Sequence, residues 1–435
     1  MKTPSPKHVV VPLLVVMSLM FIWNLSRNIN DVLIPHLKRA CQLTDFQSSL
    51  VQSAFFGGYF LLALPVGQFI RRFGYRAGMI TGLLTAATGA MLFFPAAETR
   101  FYPLFLTALF IMAAGFTFLE VTATPYIARL GDPEGASSRL SLASAVGSIG
   151  ATLGPFIGAQ FLLHATDVPT SVVQQFTPTE LTNYLYSEAQ LVKIPYLSLA
   201  VLFTVLGILL FFITLPTIKE EGEDSLRLWS IFQFRHTVLG ALGVFCYLGA
   251  EVGIVSFLIR YAKSLQLPNL SEQKAALFIT LYMALVLAGR LAGAYLLRRI
   301  PPARALAVCA IGAFLLVMTS MLTTGFVSIY ALSVVGLCTS VMYPILFTLS
   351  TKDLGAYTKT GSSLIIMSIV GGAIVPPLMG WISDGFGIKL AFSVPIVCYI
   401  YVLYYARKGY IISLAPLNPL KGTWTQLKPS TKSPL

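Results

Sequence analysis

Residues 194–215 read IPYLSLAVLFTVLGILLFFITL, an uninterrupted run without a charged side chain. A helix that spans a membrane needs about 20 apolar residues, because the hydrocarbon core is about 30 Å thick and a helix rises about 1.5 Å per residue. This stretch therefore predicts a membrane-spanning helix.

Similar runs recur along the whole chain of 435 residues, which is 56% hydrophobic and only 11% charged. A soluble domain carries roughly 25% charged residues, so the composition predicts an all-α membrane protein with twelve transmembrane helices. The predicted helices span 9–37, 46–70, 77–98, 102–129, 138–163, 192–216, 236–262, 272–297, 304–324, 327–351, 359–383 and 388–407. Residues 164–191 are predicted to form a polar outer loop.

The basic residues indicate how the chain is oriented. With the N-terminus inside, most of the 30 Lys and Arg residues fall in cytoplasmic segments, as the positive-inside rule requires. We therefore expect a protein of the cell inner membrane with both termini in the cytoplasm. This distribution accounts for the net charge of +13 without a nucleic-acid partner.

The two halves of the chain carry related signals. A glycine and an arginine doublet end predicted helices at 67–72 (GQFIRR) and 293–299 (GAYLLRR). This repeat favours two pseudo-symmetric six-helix bundles, 1–216 and 236–408, joined by a linker at 217–235 and followed by a tail at 409–435. Basic doublets also end inner helices for topological reasons alone. The residues predicted to serve gating or structure are Gly67, Arg71, Arg72 and Arg290.

Among the ionisable side chains within predicted spans, six stand out as functional candidates, because a charge there costs several kcal/mol and normally faces a cavity. They are Arg27, Asp31, Glu120, Glu251, Arg260 and Arg290. Arg260 is close to an outer helix end, where we expect it to extend toward the membrane surface. Arg290 is either a partner for a buried carboxylate or a similar interfacial residue.

Asp31 belongs to the polar stretch Arg27-Asn-Ile-Asn-Asp31, which is too polar to face lipid. Asn and Asp side chains offer the donors and acceptors that sugar hydroxyls need, although a polar cap at the outer end of the helix is the alternative. Arg27 precedes Asp31 by four residues, so the two share a helix face. Arg27 either holds Asp31 ionised or points toward an anionic solute.

Glu120 and Glu251 lie deep in apolar helices. Burial favours the neutral form of a carboxylic acid, so such an acid can take a proton from one side of the membrane and release it on the other. The alternative is a permanently neutral or ion-paired structural acid. Glu251 is flanked by Gly249 and Gly253, which allow close approach of a ligand.

Several motifs in order resemble the fucose:proton symporter family of the major facilitator superfamily, which includes glucose/galactose permeases. They are Asn28-Ile-Asn-Asp31 with Leu33-Ile-Pro35, Gln52-Ser-Ala-Phe55 with Gly58-Tyr59, Phe94-Pro-Ala-Ala-Glu98, Leu119-Glu-Val-Thr-Ala-Thr-Pro125, Tyr343-Pro-Ile-Leu-Phe347 and Gly361-Ser-Ser363. The resemblance implies symport of a monosaccharide with a proton.

The resemblance also implies residue roles. Glu120 would carry the proton and Asp31 would couple its uptake to sugar binding. The full set of predicted sugar-binding residues, from the buried polar side chains and from the resemblance, is Arg27, Asn28, Asn30, Asp31, Gln52, Ser144, Tyr247, Glu251 and Tyr343. Small residues stand at 144 and 147, where the fucose permease has amides, and Arg27 replaces a neutral residue. The sugar is therefore left open among hexoses, deoxyhexoses, and acidic or N-acetylated sugars.

Other functions remain as alternatives. Residues 150–158 resemble a helix 5 motif of proton-coupled drug exporters, although small residues there also suit helix packing. Sodium is the alternative coupling ion. The five cysteines and four histidines show no metal-site or disulfide spacing, and no enzyme motif is present, so we expect neither a metal, nor a cofactor, nor catalysis. The expected partners are a sugar-like solute and the lipid bilayer, with the chain acting as a monomer.

Overall fold

The computed structural model describes residues 7–130, 136–163, 170–173, 175–213, 228–268, 270–297, 299–354 and 357–411. In these ranges the chain is almost entirely helical. The first half contains α1 Lys7–Ala40, α2 Asp45–Met91, α3 Phe93–Thr99, α4 Tyr102–Arg129, α5 Ala136–Leu162, α6 Thr170–Val173, α7 Pro178–Gln190 and α8 Lys193–Phe212.

The second half begins with a short 3-10 helix, Leu228–Gln233. Its other helices are α9 Arg235–Ser264, α10 Glu272–Leu296, α11 Pro302–Leu322, α12 Gly325–Thr339, α13 Met342–Ser350, α14 Thr358–Met367, α15 Gly371–Phe386, α16 Ile388–Ala391 and α17 Ser393–Tyr404. A short 3-10 helix, Ser368–Val370, follows α14, and a short π-helix, Tyr405–Gly409, follows α17.

The predicted membrane spans are confirmed. Eleven helices among the described residues are long and apolar enough to cross a membrane. The part of α2 before Gly74 corresponds to the remaining predicted span, and the positive φ of 82° at Gly74 separates it from the next one. The spans predicted at 327–351 and 359–383 are each broken, into α12 with α13 and into α14 with α15.

Residues 164–191 hold more order than the predicted loop. Pro178–Gln190 forms α7, whose N-terminus has a capping box between Thr177 and Glu180. The polarity that indicated a loop belongs to a surface helix that is not apolar enough to enter the membrane by itself. The helix ends at residues 40–45, 99–101, 265–268 and 323–325 lie on what we call the outer face, following the predicted orientation.

The two halves meet through equivalent helices. In the first half α2 packs on α4 and α1 on α5, and in the second half α9 packs on α15 and α17. Between the halves, α2 packs on α15 and α5 packs on α10. The second and fifth spans of one half thus contact the fifth and second spans of the other, which is the relation expected of two pseudo-symmetric six-helix bundles.

Gly154 sets the close packing of α5 on α1. A Cβ atom there would lie 2.7 Å from the carbonyl oxygen of Leu25 and 2.9 Å from the Cβ of Asn28. Gly150 faces the backbone of α1 in the same way. Residues 150–158 therefore serve helix packing, which accounts for the small residues without an exporter motif.

Candidate functional site

Four charged side chains from both halves gather where α1, α4 and α9 meet. Arg27 and Asp31 come from α1, Glu120 from α4 and Glu251 from α9, and Arg27 is within electrostatic range of all three acids. Asp31 is buried, while the other three side chains are half-buried. Charges so far from the helix ends are tolerated when they face one another or a water-filled cavity, so this cluster is the candidate site.

Asp31 is held by a hydrogen bond from α2. The Nε2 atom of Gln52 donates to Oδ1 of Asp31 at 3.0 Å and to Oγ of Ser256 at 2.9 Å. Gln52 is 3% exposed and Ser256 is 1% exposed. Since Ser256 lies on α9, this amide joins the acid of the first half to the second half.

The two asparagines of α1 point in other directions. Asn28 donates to the backbone carbonyl of Asn24 at 2.7 Å and packs beside Gly154 of α5. Asn30 accepts a hydrogen bond from the hydroxyl of Tyr196 on α8 at 3.1 Å. The polar stretch at 27–31 therefore faces several neighbours, and only Arg27 and Asp31 share the face toward the charged cluster, as their four-residue spacing predicted.

Arg27 lies against aromatic rings. Its guanidinium carbon is 5.1 Å from the ring centroid of Phe56 and 5.8 Å from that of Tyr59. The Tyr59 hydroxyl is buried without a hydrogen-bond partner among the described residues. Among the described residues, Arg27 forms no ion pair within 4.0 Å. A stacked, always-charged guanidinium can therefore compensate several acids at longer range.

Aromatic hydroxyls surround the acid of the second half. The Tyr247 side chain, one turn before Glu251, interacts with the Glu251 carboxylate. The Tyr247 ring lies 6.4 Å from the ring of Tyr343 on α13. Tyr343 is in turn within electrostatic range of Glu120 and Arg27. The structure thus brings the predicted residues Tyr247, Glu251 and Tyr343 close to the acids of the first half.

Arg290 connects the halves beside this cluster. Its Nη1 atom donates to Oγ of Ser148 on α5 at 2.7 Å, and it is within electrostatic range of Glu251. The side chain of Arg290 is exposed, and its predicted role as a partner for an intramembrane carboxylate stays a prediction. Ser144, one turn before Ser148, is exposed on the same helix.

The residues predicted at 67–72 lie elsewhere, on α2 near the opposite face from the outer one. Gly67 has no atom within 4 Å of the position of an added Cβ. Arg72 is exposed and its guanidinium carbon lies 5.3 Å from the ring centroid of Phe73. The side chain of Arg71 and all of Arg298 lie outside the described part of the chain. Gly67 and Arg72 are therefore not part of the charged cluster.

The expectation for Arg260 is wrong. Arg260 is 8% exposed and donates from Nη1 to Oδ1 of Asp45 at 2.7 Å and to Oγ of Ser48 at 2.8 Å. Sequence position alone favoured the membrane surface, because the partner on α2 is distant in the chain. Arg260 is instead a buried link between the halves at the outer face.

Sequence reasoning missed the polar network that surrounds this link. Asp384 of α15 accepts hydrogen bonds from the backbone nitrogens of Asp45 and Phe46, at 2.7 and 2.8 Å, and so caps the N-terminus of α2 from the other half. Arg39 pairs with Glu188 at 2.9 Å and with Glu272 at 2.5 Å. Charged residues at helix ends gave no signal, since such residues ordinarily face solvent.

The comparisons with known proteins agree with this architecture. The family model of the Major Facilitator Superfamily matches residues 16–370. A glucose/galactose transporter of Brucella abortus biovar 1 (strain 9-941) is 41% identical over 411 residues, which cover 94% of this chain and 96% of that protein. The L-fucose-proton symporter of Escherichia coli (strain K12) is 36% identical over 409 residues, 92% of this chain and 93% of that one.

Solved structures show the same fold. A crystal structure of the E. coli fucose:proton symporter has a TM-score of 0.69 and 35% identity, and the match covers 92% of this chain and 99% of that chain. A bacterial homologue of the human lysosomal transporter Spinster, in an inward-facing and unoccupied conformation, has a TM-score of 0.72 over 93% of this chain and 97% of that chain. At 14% identity the second likeness concerns the fold alone.

Proposed function

We propose that this chain, which belongs to the major facilitator superfamily, takes up a monosaccharide together with a proton by alternating access. Carriers of this fold rock their two halves about a central site near the bilayer midplane. The observation that carries the proposal is the cluster of Arg27, Asp31, Glu120 and Glu251, which draws acids from both halves to one place. The chain is a multi-pass membrane transporter and not an enzyme.

A monosaccharide is the proposed substrate class. The names of two relatives support it, since one is a glucose/galactose transporter and the other an L-fucose-proton symporter. Tyr247, Glu251 and Tyr343 supply hydroxyl and carboxylate groups beside the charged cluster, as sugar hydroxyls require. Asn28, Asn30 and Ser144 are proposed to reach the sugar in a different state of the carrier, because Asn28 and Asn30 are bonded within the first half here.

A proton is the proposed coupling ion, and Glu120 its carrier. Glu120 lies on α4 without a hydrogen bond to another described side chain, within electrostatic range of Arg27. When Glu120 is protonated, Arg27 is freed to compensate Asp31 and Glu251; when it is ionised, Arg27 is shared among three acids. The charge of the cluster therefore changes with each proton, as coupling needs. Sodium remains the alternative ion, because carboxylate oxygens bind it as well.

One proton is enough to drive concentrative uptake. Moving one charge through 100 mV is worth about 2.3 kcal/mol. At about 1.4 kcal/mol per tenfold change in ratio, this potential can concentrate a neutral sugar roughly forty-fold. An anionic sugar paired with Arg27 would carry its own charge inward and would need a second proton for the same gradient.

The test is uptake by purified protein in liposomes. Radiolabelled galactose, glucose and fucose are offered with a membrane potential or a pH gradient imposed, with sodium present or replaced by choline. Accumulation that a protonophore collapses and that choline leaves unchanged is the expected result. Uptake that depends on sodium, or labelled sugar that everted vesicles accumulate, would contradict the proposal.

The proposed setting follows from the distribution of basic residues. We propose that the chain acts as a monomer in the cell inner membrane, with both termini in the cytoplasm. In that orientation the contacts of Asp45, Arg260, Arg39 and Glu272 close the outer entrance. Accessibility of single cysteines placed in the linker at 217–235, tested in intact cells and in everted vesicles, checks the orientation.

A further inference from the structure

We propose that Gln52 is a positioning residue that links the charge on Asp31 to closure of the outer face, through Ser256 of the opposite half. The inference deepens the proposed function and rests on it for the role of Asp31. Its physical basis is a chain of hydrogen bonds that crosses between the halves twice, and all of its members are buried.

The first crossing is the amide of Gln52. Its nitrogen carries two hydrogens, and the structure uses both, one toward Asp31 Oδ1 at 3.0 Å and one toward Ser256 Oγ at 2.9 Å. An ionised carboxylate offers only acceptors, so the nitrogen of the amide must face Asp31. With that orientation fixed, the second hydrogen points at Ser256.

The second crossing begins at the same serine. The backbone oxygen of Ser256 accepts from Nη2 of Arg260 at 3.2 Å, one turn further along α9. Arg260 then donates across to Asp45 and Ser48 of α2. Ser383 of α15 also donates to Asp45, at 2.5 Å. The coupling acid and the outer closure are therefore joined by one continuous polar path.

Opening of the outer face must break both crossings. Gln52 and Asp31 move together with the first half, whereas Ser256 and Arg260 move with the second. The Gln52 amide would keep Asp31 and lose Ser256. Water can accept the freed amide hydrogen when the outer face is open, whereas in the closed state that buried hydrogen needs the Ser256 hydroxyl as its acceptor. The Gln52–Ser256 bond therefore favours the closed outer face.

The charge on Asp31 sets how firmly this bond is held. A hydrogen bond to a carboxylate is roughly twice as strong as one to a neutral acceptor, so ionised Asp31 fixes the amide and neutral Asp31 leaves it freer to turn. The other charged or titratable groups in electrostatic range of Asp31 are Arg27, Glu251 and Tyr282. Closure of the outer face and ionisation of Asp31 then favour each other, since coupling between two sites is reciprocal.

The experiment measures the outer face directly. Spin labels at Thr99→Cys and Thr324→Cys, one exposed outer position in each half, report the distance between the halves by pulsed EPR. The background has the five native cysteines replaced and is first shown to retain sugar uptake. The variants are Gln52→Met, which lacks both donors, and Ser256→Ala, which lacks only the acceptor.

Two further variants serve as controls. Ser333→Ala removes a buried hydroxyl whose one bond among the described residues is to the carbonyl of Ile329 in its own helix, at 3.1 Å. Ser256→Thr keeps the hydroxyl. We expect Gln52→Met and Ser256→Ala to raise the ratio of open to closed outer face about tenfold, the effect of one lost hydrogen bond. Ser333→Ala should leave it unchanged and Ser256→Thr should restore it.

A double-mutant cycle tests the link to Asp31. If the charge acts through Gln52, Asp31→Asn and Ser256→Ala together should open the outer face less than the product of their separate effects. Multiplicative effects, or outer distances unchanged by Gln52→Met while sugar uptake falls, would overturn the inference and leave Gln52 as a sugar-binding residue. The distance measurement needs no substrate, so its outcome is separable from failure of the proposed sugar or ion.

Discussion

Replacing Arg260 with methionine removes a buried cation that joins the two halves. The side chains of Arg260 and Asp45 are 6% and 10% exposed, and Nη1 lies 2.7 Å from Oδ1. Methionine has a similar length and can still pack on the ring of Phe257, although it loses the cation–π contact of the guanidinium carbon, which lies 3.7 Å from the ring centroid. The substitution therefore removes the charge and its hydrogen bonds while it preserves most of the packing.

The magnitude follows from what Asp45 retains. Deleting one partner of a buried ion pair is destabilising by about 3–5 kcal/mol, because the other charge stays buried. In Arg260→Met, Asp45 still pairs with Lys38 at 2.5 Å and still accepts from Ser383. We therefore expect the substitution to destabilise the closed outer face by about 2–3 kcal/mol, toward the lower end of that range and below it. When the outer face is open, water hydrates Asp45, so the substitution does not destabilise the open state. The closed outer face should thus be disfavoured by a factor of roughly 30–150.

The assay is the distance between spin labels at positions 99 and 324 in the protein without substrate. Arg260→Met should move the population toward the longer distance. Arg100→Met is the matched control, because Arg100 donates to the carbonyl of Ala40 within its own half, at 2.9 Å. An unchanged distance distribution in Arg260→Met, or an equal shift in the control, would refute the role assigned to the pair.

Three further predictions concern coupling and packing. Glu120→Gln should abolish the roughly forty-fold accumulation expected at 100 mV while sugar counterflow continues; normal accumulation driven by a pH gradient would remove Glu120 as the proton carrier. Arg27→Gln should impair coupled uptake of neutral hexoses. In the unmodified protein, neutral hexoses should compete for uptake better than hexuronic acids. Strong competition by the acids alone would instead show that Arg27 binds an anionic sugar. Gly154→Ala should lower the free energy of unfolding by about 1–3 kcal/mol through overpacking, seen as a lower melting temperature in detergent, whereas Gly57→Ala, with nothing within 4 Å of the added Cβ, should not; equal melting temperatures would contradict the close packing of α5 on α1.

Much of the site could be found from the sequence because buried charge is rare in membranes. Arg27, Asp31, Glu120 and Glu251 stand out from apolar surroundings, and their cost in hydrocarbon implies a shared, functional location. The four-residue spacing of Arg27 and Asp31 also predicted that the two side chains lie on one face of α1. The same reasoning failed for Arg260, since its position near a helix end is compatible with solvent as well as with a partner.

The sequence by itself determined the membrane class, the number of spans and the division into two halves, because hydrocarbon thickness fixes the length of an apolar run and a repeat is visible along the chain. Only the tertiary structure decided which polar groups meet across the halves. Gln52 and Ser256 are 204 residues apart, and Asp45 and Arg260 are 215 apart. No local period connects such pairs, since their contact depends on how α2 packs against α15, which in turn packs on α9.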